Sequence, residues 1–361
     1  MENNYEIDLV NTTEGWATLS HQWSALLSES DSDSLFLTRD WMESWIHCFM
    51  GDKRGLFVLV VRDSDGPVAI APWYLETGRC AGLRSREIRF LGTPETGSDY
   101  LDVIARHGYE QDAANAIYDY LFGAGSRHWD QLSLSDLAAE SQFLFHFMNR
   151  LDEAGKFSEL RRNAYIPRTT LPATTESYFE GLSSKRRTRY RKDWRRLEEH
   201  GARHITYQGQ STAESLPRFF ALHAAQSKHD SSTLNRFLQV LSGKGTTVSL
   251  QVDFLVAKEL DIAALLHLVY GNTLHLLAQA SDKSFDRRLS LGNALIGKCI
   301  DRAIESKVAC YDFLKGGEEY KFEWSNSAKA SLTLQVGQRN LQSCLCTSSR
   351  LLRNLAKAIL R

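Results

Sequence analysis

Cysteine is scarce in this sequence, long apolar runs are missing, and neither sign of charge prevails. The six cysteines, Cys48, Cys80, Cys299, Cys310, Cys344 and Cys346, form no C-x-x-C pair. That spacing argues against a disulfide framework and against the usual zinc motifs, so free thiols in a reducing compartment and no metal are expected. No apolar stretch approaches the ~20 residues that a spanning helix needs. The opening MENNYEIDLV lacks a basic stretch followed by an apolar one. No signal peptide is expected, and the expected location is cytoplasmic. With 43 Lys and Arg against 44 Asp and Glu, the net charge is −1. Nothing global pulls the chain toward nucleic acid or an anionic surface, so any electrostatic function must be local.

What the sequence does hold is bulk. Its 361 residues exceed what one hydrophobic core usually organises, so two domains are expected. Seventeen Phe and eight Trp are enough to fill packed cores and argue against disorder.

The periodicities alternate between helix and strand. Helices are expected over 14–28, 39–50, 110–122 and 141–154, and strands over 57–62, 68–74, 87–91, 100–105 and 131–134. Pro167 and Pro172 bracket an extended piece that marks a boundary between domains 1–166 and 167–361. Beyond it come a basic helix over 183–200, a strand over 203–207 and a helix over 216–226. Three strands follow in series over 247–257, 262–270 and 273–280, with Gly271-Asn272 as a hairpin turn. A helix over 292–306, strands over 309–314 and 331–338, and a helical tail over 341–361 complete the chain. Both halves share an order of helices, antiparallel strands and further helix, which permits two similar α/β domains in tandem.

Residues 311–324 read YDFLKGGEEYKFEW. Asp312, Phe313, Leu314, Lys315, Gly316, Glu318, Tyr320, Lys321 and Trp324 fall on the pattern D-F-L-(K/R)-G-x-E-x-Y-K-x-x-W. The segment resembles the signature of the CelD/BcsL-like acetyltransferases, a GNAT-superfamily group associated with bacterial cellulose or exopolysaccharide production. Further stretches are similar to landmarks of that family: SLFLTRDW at 34–41, Ile70-Ala71-Pro72, IRFLG at 88–92, SDYLD at 98–102 and LSSKRRTRYRK from Leu182. The resemblance thus runs from about residue 34 to 324. It implies an α/β (α+β) fold of tandem GNAT-like domains, similar to FemABX-type transferases, each a mixed, largely antiparallel sheet flanked by helices. It also implies acyl transfer from acetyl-CoA or another acyl-CoA.

Acyl-CoA presents a pyrophosphate and a thioester. The first calls for backbone N–H groups at a helix N-terminus. The second calls for a donor to the carbonyl and a base for the attacking group. Against the superfamily's (Q/R)-x-x-G-x-(G/A) loop this chain reads Arg287-Arg288-Leu289-Ser290-Leu291-Gly292, with Ser290 in place of the middle glycine. Arg287, Arg288, Ser290, Leu291, Gly292 and Asn293 are the expected phosphate-binding set. The resemblance places the carbonyl-binding backbone at Ala278, Gln279 and Ala280.

Glu318, Asp312 and Tyr320 are the catalytic candidates. Asp is unusual inside a strand, and Glu318 follows a Gly-Gly turn that can aim a carboxylate into a cleft. Asp99, Tyr100, Asp102, His223 and Lys321 are the candidates for acceptor contacts. Ordinary readings stand beside these: a paired Asp312, a solvated Glu318, a core Tyr320 and a packed His223.

Two basic segments remain. Residues 185–196 hold eight cations and one acid, Asp193, around a buried stripe of Tyr190, Trp194 and Leu197. Such a helix suits phosphate groups of CoA, of a nucleotide-sugar or lipid-linked precursor, or of tRNA. It equally suits a solvated face. The tail 339–361 has five cations and no acid, so it either docks on its own domain or lies on an anionic membrane. The expected function is acyl-CoA-dependent N- or O-acyl transfer to a sugar, amino sugar or envelope precursor. The alternatives are an aminoacyl-tRNA-dependent transferase and a non-catalytic GNAT-fold module.

Overall fold

The computed structural model describes residues 5–80, 82–225, 231–243 and 247–338. The expected C-terminal helix, Cys344 and Cys346 lie outside these residues. The chain divides into two compact units: one holds the described residues of 1–163 and 330–361, the other is Ala164–Lys329. The sequence suggests a single cut after residue 166. The chain instead crosses between units twice, because its last strand returns to pair with a strand of the first unit.

The first unit opens with strand β1 (Glu6–Val10) and helices α1 (Thr13–Thr18), α2 (Ser20–Ser28) and α3 (Arg39–Phe49). Thr38 caps α3 by accepting the Trp41 N–H at 3.3 Å. Strands β2 (Arg54–Leu56), β3 (Val58–Asp63), β4 (Gly66–Ala71), β5 (Trp73–Cys80), β6 (Leu83–Phe90) and β7 (Ile104–Ala105) follow. The unit continues through α4 (Glu110–Phe122), β8 (Gln131–Ala138), α5 (Gln142–Glu153) and the start of β9 (Ser158–Thr170). Its strands form the set β1-β3-β4-β7 and the set β2-β5-β6-β8, to which the later β15 (Ser327–Gly337) adds by antiparallel pairing with β8. Trp23, Trp41, Trp45 and Trp73 are fully buried here. The strand expected over 100–105 shrinks to two residues, because 98–103 forms a packed loop.

The second unit is a six-strand sheet, β10 (Arg203–Gln208), β11 (Ser249–Ala257), β12 (Leu260–Tyr270), β13 (Thr273–Ser281), β14 (Cys310–Asp312) and the end of β9, in that order. β10 through β13 are antiparallel, β13 and β14 are parallel, and β14 and β9 are antiparallel. The helices are α6 (Thr175–Gly181), α7 (Ser184–Glu199), α8 (Thr212–Ala224), α9 (Ser232–Ser242), α10 (Leu291–Glu305) and α11 (Glu319–Trp324). Side chains alternate between the faces of a strand. Leu255, Ala263, Leu265 and Leu276 meet α10, whereas Phe254 lies under Arg218 of α8. Helices α6, α9 and α11 have no counterpart among the elements expected from the sequence. The region of α11 reads there as a turn, since six residues are too few to show a helical period.

Candidate active site

Two irregularities open the sheet of the second unit. Leu266 pairs with Ala278 but His267 pairs with Leu276, so Leu277 is an extra, bulged residue in β13. The parallel pairing of β13 with β14 then covers only Thr273–His275 against Cys310–Asp312. Beyond His275, β13 runs on to Ser281 while the chain leaves β14 through Leu314, whose φ of 54° is left-handed. The far half of β13 thus keeps one strand neighbour and turns its other edge to an opening.

Into that opening projects the start of α10. A cavity of about 450 Å³ is lined by Gln279 and Ser281 of β13, by Asp282, Lys283, Arg287 and Leu289 of the connecting loop, by Ser290 to Asn293, and by Tyr320 of α11. This is the size of a small-molecule site. The first N–H groups of a helix have no partner inside it, so a helix start walling a cavity offers donors and a positive dipole end. Gly292 sits where a Cβ would meet Gln279 Oε1 at 3.2 Å, tighter than ordinary van der Waals contact.

The loop is held from behind by the basic helix. Ser183 caps α7 by accepting from the Arg186 N–H. Asp193 is buried on α7, and its Oδ2 accepts from Arg189 Nε at 2.8 Å and from the Ser290 N–H at 3.3 Å. Arg189 Nη2 also donates to the Arg288 carbonyl at 2.7 Å. Asp193 enters the sequence reading only as the lone acid of a basic helix; no local pattern links it to a loop 97 residues away. Arg288 turns aside from the cavity onto Asp286, and that pairing holds the Asp286 carboxyl low.

The residues of 311–324 surround the same opening. Asp312 is buried and its Oδ1 accepts the Leu314 N–H at 2.8 Å, which supports the left-handed turn. Lys321 is buried too, and its Nζ donates to the carbonyls of Lys315 at 2.8 Å and Leu314 at 3.4 Å and lies 3.4 Å from Glu318. Glu318 is exposed at the start of α11. Tyr320 is half-buried on α11. Burial, and then the charge of Glu318, push its hydroxyl above the usual tyrosine range. Trp324 donates from Nε1 to Asn293 Oδ1 at 2.8 Å, so the segment's last residue grips the first turn of α10. Glu323 pairs with Arg186, whose guanidinium lies 5.2 Å over the Trp324 ring.

Of the expected phosphate-loop set, Arg287, Ser290, Leu291, Gly292 and Asn293 line the cavity, as do Gln279 and Tyr320, while Arg288, Ala278 and Ala280 do not. His223 stacks on Phe219 within α8, with ring centroids 5.9 Å apart. Asp99, Tyr100 and Asp102 belong to the first unit. There Asp102 is buried, accepts from Ser141 Oγ at 2.7 Å and from the Val103 N–H at 2.8 Å, and is pushed up to about 7 by burial.

A buried polar network invisible in the sequence lies under α10. Asp253 accepts from His204 Nε2 at 2.8 Å, Thr206 Oγ1 at 2.6 Å and Gln251 Nε2 at 2.8 Å, with His267 Nδ1 at 3.1 Å. A carboxylate only accepts, so the ring nitrogens that face it carry protons. His267 Nε2 then takes the Tyr311 hydroxyl at 2.8 Å. Burial alone would raise the Asp253 carboxyl, but its histidine partners hold it well below the usual range. Cys299 Sγ lies with His204 and Asp253 in a trio whose donor atoms are all within 4.8 Å. Burial pushes that thiol up. These residues are 46 to 95 positions apart, which no spacing rule detects.

The geometry agrees with what the chain is similar to. Residues 184–322 match the model described as "Acetyltransferase (GNAT) domain". No curated protein sequence matches the chain at a significant level. FemX is similar in structure at TM-score 0.58 and 11% identity, covering 90% of this chain and 96% of that one. L-PGS from Bacillus licheniformis is similar at TM-score 0.53 and 13% identity, covering 92% and 96%. A tandem GNAT protein from the clavulanic acid biosynthesis pathway is similar at TM-score 0.53 and 9% identity, covering 93% and 100%. At such identities the likeness establishes the fold. Domains of the matched family use acyl-CoA, and no helix among the described residues is long and apolar enough to cross a membrane. Residues 184–322 thus match a GNAT acetyltransferase domain and the chain has the fold of tandem GNAT proteins, which together support a transferase.

Proposed function

We propose that the protein transfers an acyl group, acetyl in the simplest case, from acyl-CoA to the nitrogen or oxygen of a sugar, amino sugar or related envelope or exopolysaccharide precursor. The observation that carries this reading is the cavity of about 450 Å³ between the open edge of β13 and the first turn of α10. The pyrophosphate takes the N–H groups of Leu291, Gly292 and Asn293, with Arg287 and Lys283 beside it. The thioester carbonyl takes a backbone N–H from the 278–280 stretch of β13. The acceptor attacks the carbonyl carbon, the new C–N or C–O bond forms, and the C–S bond breaks. Tyr320, kept protonated by burial, gives its proton to the leaving thiolate. Glu318, exposed beside Tyr320, takes the proton of the attacking group more readily than Asp312, which is buried and engaged with the Leu314 N–H. The envelope acceptor rests on the resemblance of residues 311–324 to the CelD/BcsL-like group.

Steady-state kinetics with acetyl-CoA and a panel of amino sugars and nucleotide-sugars tests the reading. Turnover that falls in both Tyr320→Phe and Glu318→Gln supports it. Unaltered turnover in both rejects these roles.

A second reading has one observation in its favour, the exposed basic residues of α7. On that reading the donor is an aminoacyl-tRNA. Salt-sensitive retention of charged tRNA, tighter than that of a random RNA, would favour it over acyl-CoA.

A further inference from the structure

The overall charge is −1, yet α7 concentrates cations on one line. Lys185, Arg189, Lys192 and Arg196 are spaced at i, i+4, i+7 and i+11, which puts them along one face of the helix. The row extends about 16 Å at ~1.5 Å per residue. The opposite face, with Tyr190, Trp194 and Leu197, packs into the core. The cation row is tied to the phosphate loop at a defined point, since Arg189 holds the Arg288 carbonyl and shares Asp193 with the Ser290 N–H.

Some cations of the second unit pair with acids: Arg203 with Glu259, Arg218 with Asp261, Lys298 with Asp301. Lys185 and Lys192 are exposed and, among the described residues, neither has an ion-pair partner. Four like charges on one helix face repel one another and reduce helix stability. A bound anion offsets that cost.

We infer that donor binding continues out of the cavity along α7, where Lys185 and Lys192 form a subsite for a phosphate monoester separate from the pyrophosphate. This rests on the acyl-CoA reading and deepens it: the subsite reads the 3′-phosphate of the donor's nucleotide. The unpaired N–H groups of the α10 start lie within its first turn. The row alongside it is too long for a pyrophosphate and matches a second anionic group carried by the same ligand. A lysine ammonium suits a monoester dianion as a point charge, with no demand for a planar fork.

The test compares CoA with 3′-dephospho-CoA by calorimetry on the full chain, for wild type and Lys185→Gln/Lys192→Gln, in low-salt buffer. Both lysines are exposed, so the double variant keeps the fold, which circular dichroism verifies. Wild type is expected to bind CoA about fivefold to tenfold more tightly than the dephospho form, the range of two exposed ion pairs. In the double variant that ratio should fall close to one, with the affinity for dephospho-CoA little changed. A wild-type ratio of one, or a ratio unchanged in the variant, overturns the subsite while leaving the donor reading intact. Absence of affinity for either ligand refutes the donor reading and the subsite with it. Retention of an RNA oligonucleotide that the double variant loses, with no preference between the two CoA forms, would assign the row to nucleic acid instead.

Discussion

Replacing Asp253 by Asn tests the buried network under α10. Three donors converge on this carboxylate, from His204, Thr206 and Gln251, between 2.6 and 2.8 Å, and His267 Nδ1 lies 3.1 Å away. An asparagine keeps one acceptor oxygen but turns an NH2 toward the donors on the other side. Two hydrogen bonds with a charged partner are lost, at about 1.5–3 kcal/mol each. Some relaxation returns part of this, so a net loss of about 3–5 kcal/mol is expected, as for other broken buried charge pairs. Total stability is on the order of 5–15 kcal/mol, so the effect is large. For a unit of this size each kcal/mol shifts Tm by about 2–4 °C, which gives a drop of roughly 6–20 °C. Differential scanning calorimetry at pH 7 reads it. The sign of the pH dependence follows from the lowered carboxyl: its contribution is complete above the unfolded pKa near 3.9 and is lost as pH falls below it toward the folded value. The gap between wild type and variant should therefore close on acidification below about pH 4. A drop under about 2 °C at pH 7 would mean that water or rearranged side chains satisfy these donors, and the network would not be a determinant of the fold.

Three further outcomes are expected. Tyr320→Phe should lower kcat about a hundredfold with KM for the donor nearly unchanged, since a general acid acts in the transition state; a rise in KM alone would make Tyr320 a binding residue. Asp102→Asn should raise Tm at pH 8 and leave it unchanged at pH 4. Burial lifts the Asp102 carboxyl to about 7, so the folded state holds that proton more firmly, and stability falls as pH rises from the unfolded pKa near 4 toward 7. An unaltered pH profile of Tm in the variant would refute this. Trp324→Phe keeps an aromatic ring but removes the N–H that Asn293 accepts and part of the volume of a fully buried indole. It should cost about 2–3 kcal/mol of stability, from the lost hydrogen bond and the void, and weaken acetyl-CoA binding severalfold; unchanged affinity would separate the 311–324 segment from the phosphate loop.

Elements with long, regular periods were legible in the sequence. The three serial strands of the second unit, the helix after them and the capped basic helix lie within a few residues of the expected positions. Short elements were not. Six residues of α11 make under two turns, so α11 shows no period, whereas β14 falls inside the strand expected over 309–314. The loop that lines the cavity was found through its likeness to the (Q/R)-x-x-G-x-(G/A) pattern at Arg287 to Gly292. Its supports were not, because Asp193 and Asn293 act through partners distant in the chain. The residues of 311–324 illustrate the difference. Their spacing is recognisable, yet Asp312 and Lys321 turn out to hold the backbone turn at Leu314 and Lys315, and Trp324 holds Asn293. The two-crossing division of the chain was also hidden, since β15 looks like any alternating strand until its partner β8 is known.

The most direct measurement is calorimetric titration of acetyl-CoA into the wild-type chain and into Gly292→Trp. Gly292 lines the cavity and already approaches Gln279 closely, so an indole there fills the space meant for the phosphates. Saturable one-to-one binding by wild type, lost in a variant whose circular dichroism is unchanged, is the expected result. A folded wild-type chain with no affinity for acetyl-CoA, or a variant that binds it as well as wild type, would contradict the assignment of this cavity as the donor site.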